Sequence, residues 1–156
     1  MIEMKPDDPP VLVGVLPSHI ELPCLDGTWR VLLSYRTFEH ICTRRENECP
    51  EHLALVLSRM SSVLAEPSHV GRLSGEPHKL DLWAWHPDDV AGVLVSLKCL
   101  SGETWVNTAF PLGRKTLRKH VSAHRLQLVG VPEGRKVTAA PCSSPGAAAG
   151  SKEMGE

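Results

Sequence analysis

Apolar and polar side chains alternate most clearly between residues 79 and 85, where Leu80, Leu82 and Ala84 interleave with Lys79, Asp81, Trp83 and Trp85. A period of two belongs to a strand with one face buried. Further apolar runs cover 69–73, 92–100 and 103–110, separated by Ser74-Gly-Glu-Pro-His78, His86-Pro-Asp-Asp89 and Ser101-Gly102. Short breaks rich in Gly, Pro, Asp and Ser are turn chemistry, so these runs predict an antiparallel meander. Between 50 and 66 the period changes. Leu53, Val56, Leu57, Met60, Val63 and Leu64 recur at helical spacing behind Pro50, which suits a first helical turn. An earlier helix is predicted from about Arg36, with Ser34 as its cap and Phe38, Ile41 and Cys42 as its apolar stripe.

Upstream, Val11–Leu16 reads as a short edge strand. Ile20–Leu25 and Thr28–Ser34 flank Asp26-Gly27 as a hairpin would, because Asp-Gly favours a tight type I′ turn. Thr116–His124 predicts a basic helix, and Leu126–Val131 a last short strand. Together these elements predict an α+β fold, with two helices packed on one face of a twisted four- to five-stranded antiparallel sheet. Residues 1–10 read as a flexible lead and 11–131 as a single domain. Residues 132–156, almost without bulky apolar side chains, read as a disordered low-complexity tail.

At 156 residues with net charge −1, the chain is not globally basic. Its cations are nonetheless uneven, with Arg114, Lys115, Arg118, Lys119, Arg125, Arg135 and Lys136 crowded into the last third. Local positive potential is therefore expected despite the neutral total. No apolar run is long enough to span a bilayer, and the acidic, proline-rich start is unlike a secretory signal; a cytoplasmic location, or delivery by a route without a signal peptide, is expected. Five cysteines without a CxxC pair argue for reduced thiols, and the short-spaced ligand pairs of a zinc site are missing. No metal or other cofactor is expected.

The candidate chemistry lies in two stretches, Phe38–Arg45 and Glu103–Leu112. His40 and Arg44 stand one helical turn apart, and the second stretch ends in the polar pair Asn107-Thr108. An imidazole, guanidinium groups and a hydroxyl meeting over a sheet bind phosphate and move protons without a metal. Trp83 and Trp85 suit either base stacking or packing, and the basic segment 114–125 suits either RNA phosphates or solvent.

Three short motifs in this order, His40-Ile-Cys-Thr-Arg44, the break at Ala65-Glu-Pro67 and Trp105-Val-Asn-Thr-Ala109, resemble the phage-encoded and polymorphic-toxin branch of the barnase, EndoU, colicin and RelE-like nuclease superfamily. The likeness spans about residues 28–112. It implies a metal-independent endoribonuclease in which the RNA 2′-hydroxyl attacks the adjacent phosphorus. His40, Arg44 and Thr108 would be catalytic, while Arg45, Arg72, Lys79 and Asn107 would bind substrate. An antitoxin or immunity protein is implied as a partner beside RNA. One departure stands out, since many relatives carry a second histidine where this chain has Arg45-Glu46. The alternative is a non-catalytic module on the same scaffold that binds RNA or a protein.

Overall fold

The computed structural model describes residues 2–22 and 28–129. Strand β1 (Val11–Val15) pairs antiparallel with β2 (Arg30–Leu33). Helices α1 (Tyr35–Glu48) and α2 (Pro50–Ala65) follow. Next come β3 (His69–Gly71), β4 (Lys79–Ala84), β5 (Gly92–Leu100) and β6 (Glu103–Leu112), then α3 (Arg114–Ser122) and β7 (Leu126–Leu128). The seven strands form one open mixed sheet in the order β1-β2-β6-β5-β4-β3-β7.

The α+β class and the meander are as predicted, but the sheet is wider and is not purely antiparallel. After α1 and α2 the chain returns beside β2, and β6 pairs with β2 in parallel, Val31 opposite Thr104 and Leu32 opposite Trp105. The antiparallel partner of β2 is β1. Residues 20–22 are not in a strand, and the Asp26-Gly27 turn lies outside the described residues, as does the predicted tail. Two short strands, β3 and β7, extend the other edge. Within the predicted flexible lead, Met4 is buried and Ile2 packs against the core.

Ser34 caps α1 by accepting the Thr37 backbone N–H at 3.2 Å, an arrangement that contributes about 1 kcal/mol. Val56, Leu57, Met60, Val63 and Leu64 form the buried side of α2. With Ile41 of α1, most of that stripe covers one sheet face, packing on Val31, Leu33, Leu80, Leu82, Val93, Val95, Leu97, Val106 and Ala109. The third helix occupies the other face. Its Leu117 joins Trp83, Leu94, Leu112 and Leu126 in a second, smaller core. The prediction of helices on one face alone is corrected by this helix.

No described helix is long and apolar enough to cross a membrane. Cys99 is disulfide-bonded, against the expectation of reduced thiols throughout.

Candidate functional site

Phe38, Ile41, Cys42 and Arg45 are the inward-facing positions of α1, and the 3.6-residue period turns His40 and Arg44 outward. Both are exposed, and neither side chain makes a hydrogen bond or ion pair with the described residues. Thr108 stands opposite Ser96, on the sheet face that α1 and α2 leave uncovered. Asn107 is the extra residue of a β-bulge, because the register jumps from Ser96–Thr108 to Leu97–Val106. His40, Arg44 and Thr108 line neither of the two principal cavities.

The predicted substrate-binding residues are also dispersed. Arg72 is exposed and donates through Nε to the Lys79 carbonyl at 3.2 Å, while Lys79 is paired with Glu76 at 3.2 Å. Arg45 is 5 % exposed. It pairs with Glu48 at 3.1 Å and lies 5.8 Å from the centre of the Phe110 ring. Its Nε has no hydrogen-bond partner among the described residues.

A buried guanidinium with an orphaned donor is weak support for stability, because desolvation offsets much of its attraction. Arg45→Met, which keeps the apolar stem, is therefore expected to be neutral or stabilising in urea titrations. A substantial loss of stability in that variant would mean that the Glu48 and Phe110 contacts outweigh the orphaned donor.

The residues that do converge lie elsewhere. A cleft of about 400 Å³ opens between β3, the end of β4 and α3, lined by Ser68, His69, Trp83, Trp85, Arg114, Leu117 and Arg118. The Arg114 guanidinium stacks 3.9 Å above the Trp85 ring. Trp85 is fixed in turn, since its Nε1 donates to the Asp89 carbonyl at 3.1 Å. The Asp89 carboxylate is held by Arg59 of α2 in a two-pronged pair at 2.7 and 3.1 Å. A helix on one face of the sheet thus steadies an aromatic ring that serves the other. Trp83 closes the floor, its Nε1 donating to the Leu112 carbonyl at 2.8 Å.

His69 meets Trp83 edge-on, with ring centres 5.5 Å apart. The Ser68 hydroxyl lies 2.9 Å from its Nδ1 and 3.2 Å from the Trp83 carbonyl. Both contacts are satisfied when the hydroxyl donates to that carbonyl and accepts from Nδ1–H, which leaves the ring's lone pair on Nε2. Burial lowers the pKa of His69 below its ordinary value. His120 is lowered too, first by burial and then by Arg125.

Above the ordinary pKa of about 6.5 both folded and unfolded chains hold these rings neutral, so they add no pH dependence. As pH falls below that, the unfolded chain takes up protons first. Stability therefore declines until the lowered folded pKa is passed, and then levels off. Urea midpoints measured from about pH 7.5 down to 5.5 are expected to fall, and His69→Gln should flatten that fall. An unchanged slope in the variant would remove His69 as its source.

Among the described residues, no carboxylate lines this cleft. A larger cavity of about 470 Å³ lies beside β3 and β7, and there Glu21 accompanies Arg72 and Arg125. The first cleft is the better anion site, because its two arginines share the lining with no carboxylate of the described residues. Its residues were visible separately in the sequence, the two tryptophans as stacking candidates and 114–125 as a basic segment. His69 carried no signal. Cations also open α3, where Arg114 and Lys115 occupy the first turn without an acid or a side-chain cap. The helix dipole disfavours positive charge there, and local rules are most often broken where function requires it. No family model, curated protein or solved structure matches this chain.

Proposed function

We propose that the protein is an RNA-binding module whose ligand enters the cleft between β3, β4 and α3. One observation carries the reading: Arg114 stacked on Trp85, with Arg118 and His69 beside it and no carboxylate among them. Guanidinium groups recognise phosphate in a fork. An aromatic ring under a guanidinium forms a platform for an unpaired base. The single-stranded form is favoured because a cleft of about 400 Å³ admits a splayed nucleotide and not a duplex.

Binding without cleavage is preferred because the described lining of the cleft has one imidazole and neither a second histidine nor a carboxylate to pair with it. Ribonuclease action has one observation in its favour, a histidine held neutral beside two arginines. One experiment separates the two. A labelled single-stranded oligoribonucleotide is titrated with the protein at increasing salt, and the same samples are run on a denaturing gel. Saturable binding that weakens steeply with salt, with the strand intact, is the expected result. Absence of binding at low salt overturns the proposal. A shortened strand, preserved in His40→Ala and lost in His69→Ala, would establish cleavage in this cleft instead.

A further inference from the structure

The face that carries α3 is only half covered. Leu117 of α3 packs on Trp83, Leu94, Leu112 and Leu126, all at one end of the sheet. At the other end, the strand registers place two rows of side chains on that same face. The first row crosses four strands as Leu12, Leu32, Trp105 and Lys98. The second runs Val15, Arg30, Glu103 and Leu100, since Val15 pairs with Arg30, Glu103 pairs with Leu100, and Arg30 precedes Val31 as Glu103 precedes Thr104.

A bulge in β1 builds this surface. Leu12 and Val15 are three residues apart and would face opposite ways on a regular strand. The register shift between Leu12 and Gly14 turns both outward. They are 48 % and 52 % exposed, and Leu100 is 58 % exposed. Five of the eight side chains are apolar, a composition that marks an interaction surface. Arg30 and Glu103 sit in the interior columns, and neither forms an ion pair with any described residue.

We propose that this surface is a two-fold interface with a second copy of the chain. A two-fold contact needs a patch complementary to itself, and this one is. Its charges of opposite sign, Arg30 and Glu103, occupy neighbouring central columns, with Leu12 and Val15 at one flank and Lys98 and Leu100 at the other. Rotation about an axis between β2 and β6 lays Arg30 on Glu103 of the second copy, and Val15 on Leu100 of the second copy. A nucleic-acid strand fits less well, because Glu103 stands in the middle of its path. The patch is small against the about 800 Å² per partner of a standard interface, so a weak, concentration-dependent dimer is expected. This inference does not depend on the RNA reading.

Sedimentation equilibrium of the full chain tests it with charge reversals. Arg30→Glu and Glu103→Arg are each expected to weaken self-association at least tenfold. Mixing the two variants should restore it, because every cross-contact in the mixed dimer again joins opposite charges. Val15→Glu, which would set a carboxylate on Leu100 of the second copy, should also yield a monomer with an unchanged circular dichroism spectrum. A wild-type chain that stays monomeric at every concentration overturns the proposal, as does a mixture that associates no better than its components. Monomers whose oligoribonucleotide binding is weakened by Trp105→Ala would assign the surface to nucleic acid, and the proposal would fall.

Discussion

Gly92→Ala is expected to lower stability by about 3 kcal/mol, which for a domain of this size is a fall of roughly 10 °C in Tm. A Cβ at this position would lie 2.3 Å from Cε2 and Cζ2 of Trp83. That ring has no easy retreat. It is 4 % exposed, its Nε1 is engaged by the Leu112 carbonyl, and it packs in a T-shaped contact with His69. Gly92 pairs directly with Leu112 across β5 and β6, so backbone movement would disturb the ladder that holds the indole. The ring must leave its seat, and displacing a buried tryptophan is among the larger single-residue effects in a core. Because Trp83 floors the cleft, RNA affinity should fall with stability. Gly113→Ser is the control, since a Cβ there meets nothing within 4 Å and the residue is the uncapped N-cap of α3. A gain of a few tenths of a kcal/mol is expected from the added cap. Thermal unfolding followed by circular dichroism decides both. An alanine at 92 that leaves Tm unchanged would mean that the indole does not lie across this glycine.

What local spacing could reveal was α2, the meander and the stripe of α1. Each depends on side chains within one or two turns or on neighbouring strands joined by short breaks. The same stripe already placed His40 outside, because Phe38, Ile41 and Cys42 cannot face the core without turning His40 to solvent. Parallel pairing of β2 with β6 was not legible. It joins Val31 to Thr104, and no local periodicity reports a contact at such separation. Nor was the bulge at Asn107, which places Thr108 on the face away from α1 and α2; a strict period of two across β6 misassigns every residue beyond it. The candidate site failed to appear for a related reason. Trp85 and Arg114 meet only because β5 and β6 run out and back before α3 begins. Their residue types were informative, and their meeting was a property of the topology.

Arg114→Ala is expected to weaken binding of a single-stranded oligoribonucleotide about tenfold and to reduce the salt slope by about one phosphate contact. Trp85→Ala should weaken it by about 10- to 100-fold, the range for losing one stacked base, with little change in salt slope. Separation of the two signatures is the point. The guanidinium acts through charge and through its plane, so Arg114→Lys should recover the slope and not the full affinity. Arg118→Ala, from the next turn of α3 and the same cleft, should behave as Arg114→Ala does. His40→Ala and Arg44→Ala should change neither quantity, because both side chains face solvent from the outer side of α1. Fluorescence anisotropy across a salt series measures all of these, with circular dichroism confirming that each variant is folded. Equal affinity in wild type, Arg114→Ala and Trp85→Ala would remove the cleft from RNA recognition. Loss of affinity in Arg44→Ala alone would instead return the ligand to α1.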